Sequence, residues 1–111
     1  MRRVYEKYSK SDGFRILVDR LWPRGLTKEA AHVDLWMKEI APSNELRKWY
    51  HQDMSQWPLF KKKYLAELKD STVLKEFSAE CAKHQKVTLL YGSKDEKHNH
   101  ALILIEVLKS F

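Results

Sequence analysis

Phe14-Arg15-Ile16-Leu17-Val18-Asp19, running into Arg20-Leu21-Trp22-Pro23-Arg24-Gly25-Leu26, decides the fold class. The trio Ile16-Leu17-Val18 does not alternate with polar residues, which suits a strand covered on both faces. The turn cluster Ser9-Lys10-Ser11-Asp12-Gly13 precedes it, and Pro23 and Gly25 punctuate its exit. Val87-Thr88-Leu89-Leu90-Tyr91 repeats the buried pattern and exits into the polar run from Gly92 to His100. Arg2–Glu6 suits a further short strand.

Between these strands the chain reads as helices. Thr27 caps a short helix over 28–31, and Leu35, Trp36 and Ile40 predict another helical turn that Pro42 stops. Ser43 caps the next helix, where Leu46, Trp49 and Tyr50 fall at i, i+3 and i+4. Ser55 to Pro58 opens a longer one, with Phe60, Tyr64, Leu65 and Leu68 as its buried stripe. Trp36, Trp49, Trp57 and Tyr64 are expected in the core. Thr72 starts a further helix with Leu74, Phe77 and Cys81 on one face. The run 101–108 is ambiguous because Ile103, Ile105 and Val107 are β-branched, but the cap-type residues before it favour helix. The order strand, strand, several helices, strand, helix predicts an α/β fold: a small, mostly parallel sheet flanked by helices, one domain over residues 1–111.

Composition narrows the function classes. The chain has 111 residues, a formal net charge of +6 and 43% hydrophobic residues, enough for one buried core. No apolar run approaches the roughly 20 residues of a membrane helix. The N-terminus is charged and lacks a signal-peptide stretch, so a cytoplasmic location is expected. A single cysteine, Cys81, excludes an internal disulfide framework and a Cys-rich zinc site. Phosphate-loop, dinucleotide-fold, nucleophile-elbow and C-x-x-C signatures are all missing. The positive surplus and the Lys61-Lys62-Lys63 run permit a non-catalytic nucleic-acid or protein-interaction role, although that run reads first as a solvated helix face.

In an open parallel sheet, ligands bind where strand exits pass into helices. The two exits here carry Asp19, Arg20, Trp22, Arg24 and Gly25 on one side, and Tyr91, Ser93, Asp95, His98, Asn99 and His100 on the other. Arg20 and Arg24 are expected to grip an anion with paired N–H donors, and Trp22 offers a flat face or a packing plug. His98 and His100 titrate near neutrality and suit acid/base work, with Asp19 as orienter. Tyr91, Ser93, Asn99 and Gly25 complete the expected ligand shell. No metal or other cofactor is required, since His98-x-His100 lacks the helical i, i+4 spacing of a metal pair. The expected partner is an anionic small molecule, phosphate- or nucleotide-like, with hydrolysis or group transfer as the reaction class.

The block from Leu17 to Leu26, then Trp36, Ala41-Pro42-Ser43 and Leu46-Arg47-Lys48-Trp49, and finally Thr88-Leu89-Leu90-Tyr91 with Asp95 and His98-Asn99-His100-Ala101, resemble the YeaO-like proteins. These are small bacterial proteins within a larger domain-of-unknown-function superfamily. The resemblance spans about Val4 to Leu108 and implies a single α/β domain with a site at Asp19–Gly25 and His98–His100. It carries no established activity. Other branches of the superfamily show a Cys at the strand end and a C-H-R-like triplet in the last loop. Tyr91 and Asn99-His100-Ala101 occupy those places here, so thiol chemistry is not carried over.

Overall fold

The strands are β1 (Arg2–Arg3), β2 (Phe14–Leu17), β3 (Leu35–Trp36) and β4 (Val87–Tyr91) in the computed structural model, which describes residues 1–69, 71–95 and 97–109. They form one sheet in the order β1-β4-β2-β3, and every pairing is parallel. The register aligns Phe14 with Val87 and Leu17 with Leu90, so β2 and β4 end side by side at one edge of the sheet. That alignment brings their exit loops together.

Side chains alternate across the two faces as the strand period requires. Ile16, Val18, Leu89 and Tyr91 point into the larger core. The helices α2 (Asn44–Gln52), α3 (Trp57–Lys69), α4 (Thr72–Ala82) and α5 (His100–Lys109) cover that face with Leu46, Tyr50, Phe60, Tyr64, Phe77 and Ile103. Leu17 and Leu90 point the other way and pack with Val4 and with Ala31 of α1 (Lys28–Ala31), closed over by Trp22, Leu26 and Val33. A strand buried on both faces needs apolar residues at every position, which accounts for the unbroken trio.

The caps are local chemistry. The Thr27 hydroxyl accepts from Ala30 N–H, and Ser43 Oγ accepts from Leu46 N–H. Tyr64 Oη donates to the Ile40 carbonyl at 2.6 Å, fastening the 3₁₀ turn Lys38–Ile40 to α3. Three expectations change. Leu35 and Trp36 form an edge strand rather than a helical turn, because each finds a β2 partner, Ile16 and Leu17. Trp36 is accordingly exposed and not core, its Nε1–H donating to the Asp19 carbonyl. Leu65 faces solvent, since the buried stripe of α3 passes through Phe60, Tyr64 and Leu68.

The other end of β2 holds a buried ionic cluster. Arg15 is 3% exposed and donates to Asp12 Oδ2 at 3.1 Å and to the Ala31 carbonyl at 3.2 Å. Arg2 donates to both Asp12 oxygens at 3.0 Å, and Thr88 Oγ1 donates to the Asp12 carbonyl. Gly13 has φ +70°, and a Cβ there would stand 2.5 Å from the Lys86 carbonyl oxygen, so only glycine makes this turn. Removing the carboxylate would leave Arg15 charged and buried without a counter-ion. We expect Asp12→Ala to lower the unfolding free energy by about 3–5 kcal/mol. Urea titration measures this, and Glu6→Ala, which breaks the exposed Arg2–Glu6 pair, is expected to leave the midpoint almost unchanged.

Candidate functional site

The parallel register makes the site. Two residues past the end of β2, Asp19 Oδ2 accepts the Gly92 N–H at 2.7 Å, directly past the end of β4. A Cβ on Gly92 would lie 3.0 Å from that oxygen, so the missing side chain lets the two loops meet. The other carboxylate oxygen lies 3.4 Å from Nε2 of His100, the first residue of α5. Nε2 is also 2.8 Å from the Val18 carbonyl oxygen. A carbonyl only accepts, so Nε2 carries the hydrogen.

Burial sets the titration of this pair. Desolvation pushes the Asp19 carboxyl above its ordinary value, opposed by His100, the Gly92 N–H and the charge of Arg47. Desolvation lowers His100, against the pull of Asp19 and the Val18 carbonyl. The imidazole is therefore held neutral near pH 7.

Around the pair lies a cleft of about 320 Å³. Asp19, Arg20, Ser93, His98, Asn99 and His100 line it as expected from the two loops. Arg24, Trp22, Gly25 and Tyr91 do not. Arg24 is exposed, and its carbonyl accepts from Tyr5 Oη. Trp22 plugs the smaller core, donating Nε1–H to the Leu26 carbonyl at 2.7 Å and meeting Trp36 edge-on. Gly25 serves a left-handed turn at φ +83°, and Tyr91 is buried in the main core.

Residues from α2 and α3 replace them. Arg47, Tyr50 and His51 come from α2, and Met54, Trp57 and Phe60 from the following turn and α3. Sequence reasoning places these on helix faces as core or surface. Arg47 stands out only within the Leu46-Arg47-Lys48-Trp49 block.

Several polar groups are already committed. Arg20 donates Nε to the Pro42 carbonyl and Nη2 to the Ala41 carbonyl, both at 3.2 Å, so one edge of its guanidinium holds the Ala41-Pro42 turn. Asn99 is 4% exposed, and its Oδ1 caps α5 through Leu102 N–H while Nδ2 donates to the Asp95 carbonyl. His98 is an accessible imidazole, its side chain 47% exposed, with Nδ1 3.1 Å from Asp95 Oδ2 and its ring edge-on to Trp57. The N–H groups of Lys97 and His98 and the His98 ring hold the Asp95 carboxyl below its usual range. Arg47 gives one N–H to Asn44 Oδ1 at 3.3 Å. Among the described residues no three His, Cys, Asp or Glu side chains converge as a metal site requires. Cys81 lies outside the cleft, half-buried on α4, and burial pushes its thiol up to about 11.

Residues 1–111 match the model of the family described as the inactive DUF488-N3 subclade. The chain belongs to that subclade. It is 48% identical over 109 residues to the uncharacterized protein YeaO of Escherichia coli (strain K12), covering 98% of this chain and 95% of that one. It is 39% identical over 106 residues to the uncharacterized protein Rv3073c of Mycobacterium tuberculosis (strain ATCC 25618 / H37Rv), covering 96% and 89%. No solved structure matches it. No described helix is long and apolar enough to cross a membrane.

Neutral His100 gives this subclade member a characteristic pH response. In the unfolded chain the imidazole takes up a proton near its ordinary 6.5, while the folded site resists protonation. Acidification from above pH 7 through that value therefore removes stability. The raised Asp19 carboxyl has the opposite sign, being easier to protonate in the folded protein. We expect the Tm to fall between pH 7.5 and 5.5, and to fall less in His100→Gln. An NMR titration should show the His100 imidazole titrating below its ordinary value.

Proposed function

We propose that this domain binds a small organic anion in the cleft between the β2 and β4 exits. The observation that carries this is Arg47, a half-buried guanidinium in the lining whose charge is felt by Asp19. Arg20 adds positive potential from its fixed position on the Ala41-Pro42 turn. In a partly desolvated cleft such charges act more strongly than on an open surface. The volume of about 320 Å³ lies at the small end of ligand pockets, which favours one compact molecule over a polymer.

Binding is better supported than catalysis. The Nε2–H of His100 is occupied by the Val18 carbonyl, and Asp19 is occupied by Gly92 and His100, so this pair is spent on structure. The description of the subclade as inactive agrees with that economy. His98, hydrogen-bonded to Asp95, is the one accessible acid/base candidate in the lining from the last loop. The nucleic-acid alternative loses support on α3, where Lys61 pairs with Glu106 at 2.7 Å and Lys63 stands 4.9 Å over the Trp49 ring.

A thermal-shift screen with nucleotides, sugar phosphates and carboxylates tests the reading. A ligand at a hundred times its Kd contributes about 2.7 kcal/mol, a Tm rise of roughly 10 °C for a domain this size. Arg47→Ala is expected to abolish the shift and Arg24→Ala to preserve it. Absence of stabilisation by any anion, or an undiminished shift in Arg47→Ala, would sink the proposal.

A further inference from the structure

The anion-binding reading leaves the ligand's body undefined, and the inference that follows rests on that reading. The lining falls into two chemical groups. Asp19, Arg20, Arg47 and His100 form the polar group. Met54, Trp57 and Phe60 form the apolar one, joined by Leu21 at the rim. The two are linked by rings in sequence: Trp57 lies 5.5 Å from Phe60, Phe60 lies 6.1 Å from Tyr64, and Tyr64 meets the His100 ring edge-on at 6.2 Å.

Two observations restrict what fits. The rim of the apolar group is uncovered, with Leu21 62% and Met54 51% exposed and Trp57 partly buried, while Phe60 is buried beneath it. Inorganic phosphate or a sugar phosphate would leave that surface wet. A flat ring would cover it and stack or tilt against the Trp57 indole. The charge count is the second restriction. The guanidiniums of Arg20 and Arg47 against the Asp19 carboxylate leave a surplus of one fixed positive charge in the lining. A dianion would exceed that surplus beside a half-buried carboxylate.

We infer that the cleft takes a flat aromatic or heteroaromatic molecule bearing a single negative charge, with its acid group toward Arg47 and its ring along Trp57 and Met54. An aryl carboxylate and a cyclic nucleoside phosphodiester share this chemistry. Adenosine 5′-monophosphate has the same base but carries more negative charge at neutral pH.

Calorimetric titration at low salt tests the inference with 2-naphthoate, acetate, inorganic phosphate, 2-naphthalenemethanol, cyclic AMP and adenosine 5′-monophosphate. At least one ring monoanion, 2-naphthoate or cyclic AMP, is expected to bind tenfold or more tightly than acetate or phosphate, and which one does so identifies the acid group. Cyclic AMP should bind more tightly than adenosine 5′-monophosphate. Trp57→Leu should cost the preferred ring monoanion at least fivefold and leave acetate unchanged. Because Trp57 also packs on the core, Met54→Ala on the half-exposed rim is a second probe, expected to cost about threefold. Acetate or phosphate binding as tightly as the ring monoanions, with both variants neutral, overturns the ring while the anion reading stands. Adenosine 5′-monophosphate binding more tightly than cyclic AMP overturns the single charge. If 2-naphthalenemethanol binds as tightly as 2-naphthoate and Arg47→Ala changes nothing, both readings fall, as they do if no probe binds.

Discussion

The 2.7 Å hydrogen bond from Gly92 N–H to the Asp19 carboxylate ties together the two halves of this domain. Strand register brings β2 and β4 to the same edge, but it does not by itself fix the loops beyond them. Asp19 does so with three contacts and one electrostatic interaction. Its side chain holds Gly92 and His100, its backbone carbonyl accepts from Trp36, and its charge faces Arg47. The sheet edge, the start of α5 and the edge strand β3 are thereby referred to one residue. A bulkier residue at 92 would separate them, since its Cβ would press on the same oxygen.

The arginines show how little of a chain's charge can be read as ligand recognition. Arg2 and Arg15 are joined on Asp12, and Arg3 donates to the Ser93 carbonyl. Arg20 is fixed on two carbonyls, and Arg24 is exposed away from the cleft. Arg47 lines the cleft from α2 with a side-chain hydrogen bond to Asn44, and Arg20 lines it from its fixed position. The surplus of +6 is thus a general field, and the proposed recognition rests on one side chain.

Local signals in the sequence were the most legible. Thr27 and Ser43 announce their helices because capping depends only on the next three residues, and β4 is bounded as its β-branched and apolar run suggests. β3 was not legible. Two residues have no period, and Leu35-Trp36 becomes a strand only because the edge of β2 is open to pair with it. The convergence of Asp19 with His98–His100 followed from topology, since parallel neighbours send their exits the same way. The choice of Arg47 over Arg24 did not, because it depends on how α2 lies across the strand exits, a tertiary fact with no local mark. Arg24 looked equivalent to Arg20 at four residues' distance. The left-handed turn at Gly25 belongs to a loop in which Trp22 turns inward to Leu26 while Arg24 remains in solvent.

The same geometry sets a limit on chemistry at this site. A carboxylate and an imidazole within 3.4 Å look like an acid/base pair, yet each is already hydrogen-bonded to backbone. Transferring a proton from Nε2 would break the Val18 contact, and ionising the imidazole would oppose its burial. The pair therefore serves better as a fixed, oriented wall than as a proton relay. The other side of the cleft is built by Arg47, Met54 and Trp57 from α2, α3 and the turn between them, with Met54 51% exposed. Polar groups fixed on the strand side, facing apolar and cationic groups from α2 and α3, agree with the proposal of a ligand-binding cleft.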